Sequence, residues 1–403
     1  MKFNLHLTTA RNHEEALARL AATRCSSAGT LKMASKMRHY CFKLEGVPAA
    51  AALILKQEML SIGGEAAIPA GALDHSIERG EVILMGTVRH YNLLAEKIKP
   101  QPFGLKELAG DLNVILENVE PREFIVHTRK RDLVMNDRPL LMGIVNVTPD
   151  SFYDGSRYQD ARKASDRVLE LEDEGADIID IGGESTRPGS EGVSEDEEGQ
   201  RVIPVIERVA PRINVPISID TQKPGVARSA IRAGADIIND ISALSGDDNM
   251  ADVAAREAVP VIIMHMQGTP RNMQDNPNYD DLFGEIIAFL HERIHRAVAK
   301  GVDENKIIVD PGIGFGKSVD HNLEIVRDLW RLRSLGRPIL LGPSNKSFIG
   351  KVLEAEKDDR HEGTAASLVA AILSGANILR VHDIAGMKRF AEMAAAIRAG
   401  KII

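Results

Sequence analysis

Cysteine is nearly absent from this chain: Cys25 and Cys41 are the two in 403 residues. A disulfide framework is therefore unnecessary, and neither thiol sits in a metal-ligand spacing. Aromatic side chains are also scarce, at 4%, so the core must be built mainly from Ile, Val, Leu and Ala. No basic stretch interleaved with aromatics is present to stack on bases. The formal net charge of -8 weighs against nucleic acid as a partner. No apolar run reaches membrane-spanning length, and Met1-Lys-Phe-Asn4 lacks the apolar region of a signal peptide. The expectation is a soluble cytoplasmic protein with neither a nucleic-acid nor a membrane partner.

What is present centres on Leu140-Leu-Met-Gly-Ile-Val-Asn-Val-Thr-Pro-Asp-Ser-Phe-Tyr-Asp-Gly155. Leu140 to Val145 reads as a buried strand, Asn146 is the first polar side chain after it, and Thr148-Pro149-Asp150 brings turn chemistry. Two readings fit this stretch alone: part of a site carrying Asn146, Asp150 and Asp154, or a strand end closed by an Asx turn. Repetition separates them. Seven further apolar runs follow, each ending in polar or turn residues: Ala176 to Ile181, Pro216 to Ile219, Asp236 to Ile238, Val261 to Met264, Ile307 to Val309, Ile339 to Leu341, and Ile378 to Leu379. Amphipathic segments such as Lys163 to Glu174, Pro224 to Ala233, Leu282 to Lys300 and Gly363 to Gly375 lie between them. Eight strands alternating with helices predict an α/β fold, a (β/α)8 TIM barrel, whose strand C-termini surround one mouth. Asn146, Asp220, Asn239, His265, Asp310, Lys346, Arg380 and His382 should then converge.

A chain of 403 residues is too long for one barrel alone, which predicts a second, smaller domain. Residues 1–118 lie outside the barrel pattern and read as an N-terminal α/β or α+β accessory domain, with residues 119–403 forming the barrel domain. In the first part Asn12 can cap a helix over His13 to Ala22, Tyr40 to Leu44 and Glu81 to Val88 read as strands, and Pro48 suits the first turn of a helix that ends at Gly63-Gly64. No metal spacing, phosphate loop or nucleophile pattern occurs there. The basic cluster His127-Thr-Arg-Lys-Arg131 fits either an anion site or, as preferred, the polar face of a hairpin under the barrel. Gly312-Ile-Gly-Phe-Gly-Lys317 matches neither a Walker loop nor a dinucleotide fingerprint. Its glycines are expected to let backbone approach a flat ligand, with Phe315 as an apolar face.

At the mouth, Asp220, Asp310, Asn239 and Asp154 offer acceptors, while Arg187, Lys346, Arg380 and His382 offer donors and positive charge. A carboxylate pairs with two parallel N–H groups, so Asp310 suits a ring carrying N–C–NH2. A diphosphate suits Arg380 and His382, with Asn146 supplying a neutral oxygen to Mg2+.

The motifs Asn146-Val-Thr-Pro-Asp-Ser-Phe152 with Asp154-Gly155, Gly182-Gly-Glu-Ser-Thr-Arg-Pro-Gly189, Ser218-Ile-Asp-Thr221, Ile238-Asn-Asp-Ile241, Met264-His-Met266, Asp310 to Lys317, Lys346-Ser347 and Arg380-Val-His382 resemble the dihydropteroate synthase family from about Phe124 to the C-terminus. The resemblance implies condensation of 6-hydroxymethyl-7,8-dihydropterin diphosphate with p-aminobenzoate. It assigns Asp220, Asn239, Asp310 and Lys346, with Met264 and Phe315, to the pterin. Asn146, Arg380 and His382 go to the diphosphate with Mg2+, joined by Arg187. Thr186, Pro188 and Ser347 go to p-aminobenzoate, and Asp220 and Asp154 to stabilising a pterin methylene cation. The loops Thr148 to Tyr158 and Glu184 to Val193 are expected to order over the site and exclude water. A homodimer is implied as well. One departure is Asn345, where the family pattern usually has Arg, which removes a planar cation beside the aminobenzoate pocket. Alternative readings are a methyl-tetrahydropterin:corrinoid methyltransferase, against which the anion-binding Arg380-Val-His382 argues, and a non-catalytic pterin-binding scaffold.

Overall fold

The chain divides into two units, Met1–Pro121 and Arg122–Ile403, in a computed structural model that describes residues 3–147, 157–185, 192–247, 249–356 and 359–402. In the first unit, helix α1 (His13–Ala22) begins where Asn12 accepts a hydrogen bond from the Glu15 N–H at 2.8 Å, and α2 (Ser27–Ala34) packs on it through Ala34. Strand β1 (His39–Pro48) turns Tyr40, Phe42 and Leu44 toward a core containing Leu55, Met59, Tyr91 and Leu94. Pro48 ends this strand instead of opening the helix, because its fixed φ of -57° also suits an extended residue just before α3 (Ala49–Ile62). Gly63, at φ 85°, terminates α3 in the left-handed region. Strands β2 (Glu65–Ala67) and β3 (Arg79–Thr87) complete an antiparallel sheet of order β1-β3-β2. Helices α4 (Val88–Ile98) and α5 (Leu105–Asn118) supply the other half of the core.

The second unit begins with a hairpin, β4 (Phe124–Val126) and β5 (Leu133–Met135). The barrel strands follow: β6 (Leu140–Asn146), β7 (Ile178–Gly182), β8 (Ile217–Asp220), β9 (Ile237–Asp240), β10 (Val261–Met264), β11 (Ile307–Asp310), β12 (Leu340–Leu341) and β13 (Ile378–Val381). Between and after them run α6 (Arg157–Glu174), α7 (Glu195–Val209), α8 (Pro224–Ala233), α9 (Asn249–Glu257), α10 (Leu282–Ala299), α11 (Val319–Asp328), α12 (Ser347–Leu353), α13 (His361–Leu373) and α14 (Ile384–Ala399). All eight strands are parallel, and a bridge from Val309 to Ile339 closes the ring between β11 and the start of β12. The predicted barrel is present.

Alternation along these strands sorts the side chains into two cores. Leu141, Ile179, Ile217, Ile219, Ile238, Ile263, Val309 and Leu379 face the helices in the large outer core. Met142, Ile178, Ile237, Ile262, Ile308, Leu340 and Ile378 fill the interior, where Val126, Leu133 and Met135 of the hairpin plug them from below. The basic cluster belongs to that plug and is spent on helix ends. Lys130 Nζ donates to the Ala210 and Ile213 carbonyls at 2.6 and 2.7 Å, just past α7. Arg129 donates to Ile231 O in the last turn of α8 at 3.1 Å and to Glu257 O at the end of α9 at 3.3 Å. Cations at C-terminal carbonyls complement the helix dipole and satisfy acceptors that the helix leaves open. Replacing Lys130 by Met should lower the unfolding free energy by about 2 kcal/mol, read from the urea midpoint. An unchanged midpoint would mean water replaces the ammonium at no cost.

Candidate functional site

Because side chains alternate, only every second polar residue near a strand end faces into the ring. On β7 the interior positions are Ile178, Asp180 and Gly182, so Asp180 enters the barrel from within an apolar run. It is fully buried. Arg380 on β13 donates through Nε to Asp180 Oδ2 at 2.6 Å and through Nη2 to Asp220 Oδ2 of β8 at 2.7 Å. Asn239 of β9 donates to the same Asp180 oxygen at 3.2 Å. Four strand ends are thus joined through one guanidinium and one carboxylate. In the sequence Asp180 is obscured by four apolar neighbours, Ala176, Ile178, Ile179 and Ile181, though its even-numbered register with Ile178 is the available signal.

On β11, Asp310 is buried and Oδ1 accepts from the Gly312 N–H at 2.7 Å, which fixes the carboxylate plane. Burial lifts its pKa to about 6, against the pull of that N–H, Lys346, Arg380 and Lys317. Asp220 is driven further, to about 7, by burial and by its neighbours Asp180, Glu198 and Asp240, with Arg380 opposing. Lys346, immediately before α12, is lowered to about 8 by burial and by Arg380. Its ammonium stands 4.1 Å from the Phe315 ring centroid. Burial also opposes the charge on Arg380, but Asp180 and Asp220 outweigh it and hold the guanidinium protonated. His382 Nδ1 lies 2.9 Å from Ser344 Oγ. Met264 is buried beside Gly312, Asn146 is the half-buried last residue of β6, and Ser347 is exposed as the first residue of α12.

One expectation is corrected. His265 follows the outward register of Val261 and Ile263, so its ring packs edge-on against Phe289 of α10 at 5.0 Å instead of joining the mouth. Its Nδ1 lies 3.0 Å from Lys317 Nζ, and burial beside that lysine lowers the imidazole pKa to about 3. Backbone packing by itself requires two of the glycines in residues 312–316. A Cβ on Gly312 would sit 1.9 Å from His265 O, and one on Gly316 would sit 2.6 Å from Gln267 O. Asn345 has φ 57°, a left-handed conformation that Asn tolerates better than Arg. Its carbonyl accepts from Arg360 Nη1 at 3.1 Å, so a guanidinium reaches this turn from the start of α13. Asp154, Thr186, Arg187 and Pro188 lie outside the described residues.

Residues 142–382 match the family described as pterin binding enzyme. A dihydropteroate synthase of Bacillus subtilis is 48% identical over 269 residues, 67% of this chain and 92% of that protein. A Halobacterium salinarum protein described as a probable bifunctional folylpolyglutamate synthase/dihydropteroate synthase is 38% identical over 373 residues, 92% of this chain and 44% of that protein. That match reaches beyond the barrel into the first unit. Among solved structures, a Xanthomonas albilineans dihydropteroate synthase with 4-aminobenzoic acid superposes with a TM-score of 0.65 at 44% identity, covering 69% of this chain and 99% of that one.

The Asp180–Arg380–Asp220 chain has a measurable consequence. Asp180→Asn removes a like charge from beside Asp220, which favours its ionised form. Its titration midpoint should therefore fall below about 7, as followed by carboxyl 13C NMR. A midpoint that stays in place would show that the two acids do not sense each other.

Proposed function

The chain belongs to the pterin-binding enzymes and, among them, to the dihydropteroate synthases, and we propose how its strand ends join a pterin diphosphate to p-aminobenzoate. The observation that carries the reading is the Arg380 guanidinium held between Asp180 and Asp220 at the same rim as Asp310 and Lys346. Asp310 accepts from the N–C–NH2 edge of the pterin. Asn239, Asp220 and Lys346 complete its polar contacts, with Met264 and Phe315 against its faces. The bonds described for Arg380 use Nε and Nη2, so its Nη1 edge is assigned to the diphosphate, with His382 beside it.

Among the described residues no group of three or more His, Cys, Asp or Glu could hold a metal. Asn146 offers one neutral oxygen. This donor set fits Mg2+ carried in by the diphosphate, since Mg2+ commonly keeps waters and phosphate oxygens and takes few protein ligands. Such an ion supplies neutralisation of the leaving charge. The remaining work falls to the chain's own residues. Arg380 and His382 draw off the diphosphate as the C–O bond breaks. The Asp220 carboxylate faces the methylene carbon left electron-poor, joined by Asp154. The arylamine nitrogen, seated by Thr186, Arg187, Pro188 and Ser347, forms the new C–N bond and loses a proton, giving 7,8-dihydropteroate. The first unit is assigned an accessory role. A homodimer acting in the cytoplasm is proposed from the resemblance alone.

The direct test incubates the protein with pterin diphosphate, Mg2+ and p-aminobenzoate and follows both diphosphate and pteroate. Pteroate should form only when the arylamine is present. Diphosphate release without an arylamine-dependent product would overturn the reading. The pH profile tests the residues. Asp310 and Asp220 must lose protons to accept from or stabilise the pterin, so kcat/KM should rise between about 6 and about 7. It should fall as Lys346 loses its charge near about 8. A profile flat from pH 5 to 9 would remove these three groups from the reaction.

A further inference from the structure

Lys317 is a buried lysine to which the reaction above gives no task. Its Nζ lies 3.0 Å from His265 Nδ1, and it donates to Phe315 O at 3.0 Å and to His265 O at 3.4 Å. The centroid of the Tyr279 ring stands 5.9 Å away. None of these partners is a carboxylate. An ammonium carries only donors, so Nδ1 is the acceptor, and the imidazole stays neutral because burial and the lysine both oppose its charge. Burial also lowers the lysine's own pKa to about 7, with Asp310 opposing and Lys346 adding to the fall. Enclosing an amine among neutral acceptors is costly, and an aliphatic side chain would fill the same space without that cost.

What the amine joins is two loops, one opened by His265 after β10 and one carrying Phe315 after β11. Other contacts between these loops converge on the same place. Tyr279 Oη donates to Gly316 O at 2.7 Å, and Gln274 Nε2 donates to Gly314 O at 2.8 Å. The close approaches of Gly312 to His265 O and of Gly316 to Gln267 O leave the two backbones no room to slide. From the far side, Asn322 of α11 accepts from the Gly314 N–H at 2.7 Å. Phe315 therefore sits in a turn held from both sides, closed by its own N–H donating to Gly312 O at 3.1 Å. Its ring meets the Lys346 ammonium at 4.1 Å. A Cβ on Gly314 would come within 3.0 Å of Lys346 Cδ, so the same turn also confines the stem of that lysine.

We propose that Lys317 is a positioning residue for the pterin half of the site: by fastening the loop after β10 to the loop after β11, it holds Phe315 and Lys346 in the arrangement that receives the ring. The proposal rests on the synthase reading above, because that reading assigns Phe315 and Lys346 to the pterin.

The test uses the full chain with Lys317→Met, and Lys317→Gln alongside. Lys317→Met should raise KM for the pterin diphosphate roughly tenfold, while KM for p-aminobenzoate stays within about twofold, because the residues assigned to the arylamine lie outside these two loops. Lys317→Gln should recover part of the loss, since its carboxamide N–H can still donate to a carbonyl of either loop. A second readout needs no turnover: in Lys317→Met, backbone amides of residues 267–278 and 312–318 should exchange hydrogen faster than in the parent, and both stretches together. Should Lys317→Met fail to fold, Tyr279→Phe removes only the bond to Gly316 O and should shift the pterin KM in the same direction, by roughly threefold; a pterin KM that does not move there overturns the proposal. If both KM values rise together in step with a lowered melting temperature, or if neither KM nor exchange changes, Lys317 is a structural residue and the proposal fails. If the parent makes no pteroate but both loops of Lys317→Met exchange faster, the reaction assignment fails and the fastening of the loops stands.

Discussion

Two-residue alternation along eight short parallel strands, closed into a ring, is the constraint on which everything else depends. Each strand offers the interior only every second side chain, and most contribute an apolar residue low in the ring and a polar one higher up: Ile178 then Asp180, Ile237 then Asn239, Ile308 then Asp310, Ile378 then Arg380. The intervening residues, Ile179, Ile238, Val309 and Leu379, are given to the outer core. A one-residue slip in any strand would exchange these sets, placing a carboxylate among aliphatic helix faces. The register that protects the core therefore also aims the site.

The same rule explains what was legible in the sequence. The ring itself was readable, since each apolar run is short, rich in Ile and Val, and bounded by polar or turn residues. Asp220, Asn239, Asp310 and Arg380 were readable because each lies at or next to the end of its run. Asp180 and His265 were not, and for one reason: position relative to the end of a run was used where parity with the preceding interior residue was needed. Asp180 keeps step with Ile178 and turns inward, whereas His265 keeps step with Ile263 and turns toward α10. Lys317 escaped notice differently. Its burial against His265 and the Phe315 carbonyl depends on two loops meeting, which no local pattern encodes.

Placing Asp180, Asp220 and Asp310 against Arg380 and Lys346 removes five charges from water and returns only part of that cost as ion pairs. The surroundings push several of these groups toward neutrality: Asp220 to about 7, Asp310 to about 6, Lys346 to about 8. A set of groups this close to changing protonation is poorly satisfied by its own neighbours. A flat ring bearing parallel N–H donors and an anion bearing several oxygens supply what these neighbours lack. Binding energy at this rim is thus available because folding left it unsatisfied.

Stability has to come from elsewhere, and the opposite end of the barrel shows how. There, Val126, Leu133 and Met135 close the interior with apolar contact, and Arg129 and Lys130 neutralise the carbonyl ends of α7, α8 and α9. The Arg129 and Lys130 cations of that plug meet helix-end carbonyls, in contrast to Oδ1 of Asp180 and Oε1 of Glu198 in the upper half of the barrel, which have no hydrogen-bond partner among the described residues. The division follows from strand direction. Strand C-termini gather loops of unequal length that can carry chemistry, whereas the N-termini receive short returns from helices whose carbonyls point the same way. A cationic hairpin is the economical cover for such a surface, which is why a basic cluster in an acidic chain here marks a structural lid and not a ligand site.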